Sequence, residues 1–112
     1  PGWVKQACGF RDEYEQYSKH NIEIIGISYD SKKRQKEFSK RYNLSFSLLS
    51  DSDAAVSKLY GVDTYFFPKR VTFLINEDGV VFDIIKNISL DNYANKIIQV
   101  FKNNNLIINS ND

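Results

Sequence analysis

Apolar side chains return every three to four residues at the start of this chain. At about 100° per residue, Trp3, Ala7, Phe10, Tyr14 and Tyr17 line one stripe, and Cys8, Asp12, Glu15 and Lys19 fall opposite it. The spacing predicts a helix entered through the Pro1-Gly2 turn and broken at His20-Asn21. Ile22 to Ser28 is then a continuous β-branched run, the pattern of a parallel strand buried on both faces. Asp30 or Ser31 caps a second helix that runs to about Tyr42 and stops at Asn43. Leu44 to Ser50 reads as a short strand. Asp51-Ser52-Asp53 reads as turn and cap for a helix from about Ala54 to Tyr60, ended by Gly61. Residues 62–69, VDTYFFPK, form a loop rich in aromatic residues. Arg70 to Ile75, a tight turn at Asn76-Glu77-Asp78-Gly79, and Val80 to Ile85 make an antiparallel hairpin. From Ser89 or Leu90 a last helix runs to about Asn103, with Leu90, Tyr93, Ile97 and Phe101 on one side, and residues 104–112 are expected to fray.

The order helix, strand, helix, strand, helix, strand, strand, helix belongs to the α/β class. With a parallel strand ahead of Pro1 it would be a thioredoxin-like fold, a mixed sheet flanked by helices and ending in a hairpin. A length of 112 residues with 42% hydrophobic content fits one domain with a modest core. The absence of methionine and the start at Pro1 lead us to expect a sequence cut upstream, with N-terminal strands missing.

A net charge of +1 is too near neutral to point to nucleic acid or an anionic membrane as partner. Lys32, Lys33, Arg34, Lys36, Lys40 and Arg41 read as the solvated face of the second helix. No apolar run is long enough to span a bilayer. Asp51 and Asp53 lack the companion ligands of a calcium loop, no phosphate-binding glycine loop is present, and neither a metal nor a cofactor is expected. One cysteine makes no internal disulfide, which fits an intracellular setting, cytoplasm or organelle.

The opening run PGWVKQACGFRD resembles the active-site helix of Q-type peroxiredoxins, the bacterioferritin co-migratory proteins, whose pattern is P-G-C-T-x-x-A-C-x-F-R-D. The resemblance continues in order through IEIIGIS-x-D, YNL-x-F-x-LLSD, KLYGV and RVTFLINEDGVV, covering about residues 1–103. It implies a thiol peroxidase that reduces hydrogen peroxide and organic hydroperoxides, with thioredoxin or a similar dithiol as reductant, acting as a monomer or weak dimer. By this pattern Cys8 matches the resolving cysteine, Arg70 the active-site arginine, and Pro1 and Gly2 the substrate-binding turn. Trp3 stands where the peroxidatic cysteine belongs.

That chemistry needs a thiolate, which attacks the O–O bond and becomes a sulfenic acid. In the family the nucleophile sits in the first turn of a helix, where the macrodipole favours an anion, with an arginine alongside. Five residues along a helix separate α-carbons by roughly 8.7 Å, beyond the ~7 Å a disulfide spans, so the first turns must unwind before the bond closes. An indole takes no part in that cycle. Trp3 therefore predicts either an inactive peroxidase site or a side chain that heads the apolar stripe and packs inward. Cys8 lies about two turns into the helix, where dipole assistance has faded, and reads as a slower thiol. The alternative function is a non-catalytic relative, a binding or redox-sensing protein acting through Cys8.

Overall fold

The computed structural model describes residues 2–65, 69–86 and 92–106. Its elements are α1 (Gly2–Asp12), α2 (Tyr14–Lys19), β1 (Ile25–Ser28), α3 (Lys32–Tyr42), β2 (Ser47–Ser50), α4 (Ala55–Leu59), β3 (Thr72–Ile75), β4 (Val81–Ile85) and α5 (Tyr93–Asn103). They group into two compact units, one made of residues 1–24, 44–46 and 88–112, the other of residues 25–43 and 47–87.

In the first unit α1, α2 and α5 share a core in which Phe10 is the hub. Its ring meets Tyr17, Phe46 and Tyr93 edge-on, at centroid distances of 5.6, 6.4 and 5.7 Å. These are the T-shaped contacts that the ring quadrupole favours. Ala7, Ala94, Ile97 and Phe101 close the packing. Tyr17, 1% exposed, donates its hydroxyl hydrogen to the Ala94 carbonyl. Burial, with Tyr93 and Glu13 nearby, pushes its ionisation far upward, so it remains a neutral donor.

Two expectations change here. The first helix is not continuous: Glu13, at φ −100° and ψ 10°, separates α1 from α2. Of the apolar stripe, Ala7, Phe10 and Tyr17 are buried, whereas Trp3 and Tyr14 are only half-buried. The side chain of Asn95 on α5 reaches Glu13 at 3.4 Å, a long-range contact that helical periodicity does not encode. The expected start of the last helix at Ser89 or Leu90, with Leu90 itself, lies outside the described residues, as does the tail from 107 onward.

In the second unit β1 and β2 pair in parallel, from Ile25 opposite Ser47 to Ser28 opposite Ser50, with α3 as the crossover. Ser31 caps α3 by accepting the Arg34 N–H at 3.2 Å, and Asn43 ends it in the left-handed region at φ 54°. Buried Gln35 fastens the helix to both strands, its amide donating to Ser28 Oγ and to the Leu49 carbonyl, each at 2.8 Å. The helix thus covers the Ser28 face only. Ile25, Ile27 and Leu49 on the other face are 50%, 39% and 50% exposed, which corrects the expectation of a strand buried on both sides. A β-branched run reports preference for a pleated surface; what covers each face is decided elsewhere.

The hairpin β3–β4 is antiparallel, Thr72 opposite Ile85, with a bulge between Leu74 and Ile75. Its turn is held by Asn76 Oδ1, which accepts the N–H groups of Asp78 and Val80, and by Gly79 at φ 78°. The parallel and antiparallel parts of the expected mixed sheet are both present, as two two-stranded sheets among the described residues.

Asp51 organises the start of α4. Its carboxylate, on a residue 4% exposed, accepts the N–H groups of Val56 and Ser57 and the Ser57 hydroxyl at 2.8–2.9 Å. Burial alone would push its pKa up, but these hydrogen bonds favour the anion and hold it below the ordinary 3.8. A depressed carboxylate stabilises the fold fully above its unfolded value, and that stability drains away as pH falls through the folded one. Acid titration followed by circular dichroism is therefore expected to show a loss that sets in below about pH 4. Asp51→Asn lowers the melting temperature at neutral pH and flattens this acid limb. An unchanged limb in the variant would remove Asp51 from the account.

Candidate active site

Helix α1 carries most of the residues singled out by the sequence. Gly2 opens it, half-buried, and Trp3 follows in its first turn, also half-buried. That turn contains no acidic side chain, so no carboxylate offsets the positive end of the helix dipole. Pro1 lies outside the described residues. Cys8 is a free, half-buried thiol on the same unbroken helix, less exposed than the polar face to which its spacing assigns it. Asp12, Glu15 and Lys19 on that face are exposed.

One turn on from Cys8, Arg11 donates from Nε to Asp12 at 3.0 Å. That hydrogen bond raises the guanidinium pKa above its ordinary value, and desolvation works against it. Arg11 is thus ion-paired along α1 with its own neighbour.

Arg70 belongs to the second unit, exposed, two residues ahead of β3 rather than inside it. Two hydrogen bonds involve the described residues of the segment ahead of it. Lys69 N–H donates to the Val62 carbonyl at 2.8 Å, and Thr64 N–H donates to the Tyr29 hydroxyl at 3.2 Å. Tyr29 is a residue that sequence reasoning missed. It is the unspecified position of IEIIGIS-x-D, and its partner stands 35 residues away, so no local signal exposes it. The aromatic pair Phe66-Phe67 lies outside the described residues. Tyr65 beside it is 93% exposed.

Among the described residues no cluster of three or more His, Cys, Asp or Glu could hold a metal. The chemistry available in α1 is that of one thiol, five residues beyond an indole at the head of a helix.

Comparison with known proteins bears on this arrangement directly. The AhpC/TSA family profile matches residues 1–84. A putative peroxiredoxin bcp of Coxiella burnetii is 42% identical over 106 residues, covering 88% of this chain and 70% of its own length. The chloroplastic peroxiredoxin Q of Sedum lineare is 46% identical over 84 residues, covering 72% of this chain. The chain spans only 45% of that plant protein. Among solved structures, peroxidoxin BcpB of Mycobacterium tuberculosis superposes with a TM-score of 0.84 at 31% identity, over 92% of this chain and 71% of the other.

Proposed function

The chain belongs to the AhpC/TSA family, as a peroxiredoxin of the Q type with a thioredoxin-like fold, and from that membership we propose that its site is a thiol peroxidase site from which the attacking thiol has been lost. The observation that carries the proposal is the pairing on α1 of Trp3, at the nucleophile's position, with a free thiol at Cys8 five residues later. The substrates of the intact design are hydrogen peroxide and organic hydroperoxides, and the reductant is thioredoxin or a similar dithiol. In that design the thiolate at position 3 takes one peroxide oxygen, releasing water or an alcohol. Cys8 then displaces water from the sulfenic acid to form a disulfide, which the dithiol reduces. In the family pattern Pro1 and Gly2 match the turn that shapes the peroxide pocket, and Arg70 matches the arginine that serves the thiolate.

Trp3 halts this sequence at its first step. An indole has no lone pair of comparable nucleophilicity, forms no disulfide, and at its size fills space a peroxide would occupy. The test is thioredoxin-linked peroxide consumption by Trp3→Cys in a chain extended to the length of its Q-type relatives; its absence there overturns the proposal.

A second reading rests on the state of Cys8, which is neither disulfide-bonded nor fully buried. Peroxide would then oxidise two chains together, two thiols and one hydrogen peroxide giving one intermolecular disulfide and two waters. Dimerisation under mild peroxide that reverses with dithiothreitol and vanishes in Cys8→Ser is the expected result of this sensing role. A wild-type chain that stays monomeric under oxidation excludes it. The setting we infer is intracellular, with the chain a monomer or weak dimer when reduced.

A further inference from the structure

We propose that the outer face of α3 is a docking surface for an anionic lipid bilayer. The helix holds six of the chain's 15 Lys and Arg residues but only one, Glu37, of its 14 Asp and Glu residues. Its 11 residues therefore carry +5 while the rest of the chain carries −4. A net charge near zero conceals this segregation, and the sequence reading took the six residues as a solvated face only. Salt screens charges beyond about 8–10 Å at physiological strength, so a partner responds to the local patch rather than to the sum.

All six cations are exposed, and none makes an ion pair among the described residues. Lys32, Lys36 and Lys40 recur every four residues as a row about 12 Å long, with Lys33 beside it. The row stands on a fixed backbone. Ser31 and Asn43 close the two helix ends, and Gln35 holds the underside to β1 and β2.

The chemistry of the face selects among anionic partners. A protein interface is anchored by a buried apolar or aromatic centre, and this face offers none; Phe38 and Tyr42 are only half-exposed and pack on each other at 4.8 Å. Single-stranded nucleic-acid sites add exposed aromatic platforms for the bases to stack on, and the two aromatic rings of this helix, Phe38 and Tyr42, are packed on each other instead. Lysine is a point charge on a flexible stem, suited to mobile headgroups that can gather beneath it. Four to eight basic residues on one helix suffice for recognition of anionic lipid. No described helix is long and apolar enough to cross a membrane, so the association is peripheral.

The test is co-sedimentation of the chain with phosphatidylglycerol–phosphatidylcholine vesicles. At low salt the chain is expected to bind these and not pure phosphatidylcholine, and added salt releases it. Lys32→Gln, Lys36→Gln and Lys40→Gln together weaken binding by about 100-fold. The same charge change at exposed positions elsewhere, Lys19→Gln, Lys96→Gln and Lys102→Gln together, leaves it within about threefold. Circular dichroism checks that both variants keep their helix. The proposal is overturned by no vesicle binding at low salt, by equal losses in the two variants, or by tighter binding to duplex DNA or polyglutamate than to vesicles.

Discussion

Trp3→Cys, in a chain extended to the length of its Q-type relatives, is expected to consume peroxide with thioredoxin, thioredoxin reductase and NADPH, where the Trp3 chain of equal length does not. The gain is about three orders of magnitude or more, the usual scale when a covalent nucleophile is restored. The substitution places a thiol in the first turn of α1, where the helix dipole favours its anion and that turn holds no acidic side chain. It also vacates the volume of an indole. Adding Cys8→Ser separates the two sulfur roles: attack on peroxide persists for one equivalent, and thioredoxin-linked turnover falls because no intramolecular disulfide forms. If Trp3→Cys is folded yet reacts with peroxide no faster than a free thiol, the assignment of position 3 fails.

Phe10→Ala is expected to be the most destabilising single change in the first unit. Removing a buried phenyl costs about 3–5 kcal/mol, against a total stability of about 5–15 kcal/mol for ordinary domains. Phe10 stands at the high end of that range because its ring is the shared partner of Tyr17, Phe46 and Tyr93, which then face a cavity together. Phe10→Leu retains much of the volume and loses less. Urea titrations give the comparison, with Val56→Ala at a surface position as the reference, expected within about 0.5 kcal/mol of the parent. A loss for Phe10→Ala no greater than that reference would show that the aromatic cluster does not hold the helices together.

Local signals made much of the chain legible. Asn43 and Gly61 end their helices in the left-handed region as residue type and position suggest, and Asn76 with Gly79 builds the hairpin turn. Asn21 and Asn105 close α2 and α5 in the same manner, by bonds from Ile22 to Tyr17 and from Leu106 to Phe101. The aspartates after β2 serve as caps, Asp51 from within the fold and Asp53 from its surface. The break at Glu13, the bulge at Leu74 and the one-sided cover of β1 were not legible, because each depends on a partner brought up from elsewhere in the chain.

The candidate site divides similarly. Helical period alone puts Trp3 and Cys8 on one helix, and family resemblance alone assigns roles to them and to Arg70. The hydrogen bond from Thr64 to Tyr29 came only from the folded chain.

By itself, then, the sequence determined the order and type of elements, where helices stop, and that a tryptophan stands five residues ahead of the chain's single cysteine. These are short-range matters of backbone preference, side-chain period and covalent identity. Tertiary structure decided which apolar residues are covered, why Asp51 stays ionised while buried, and how far Cys8 and Trp3 are withdrawn from solvent. Burial and electrostatics are sums over neighbours, some a turn or two along the chain, as Ser57 is from Asp51, and others tens of residues away, as Phe46 and Tyr93 are from Phe10.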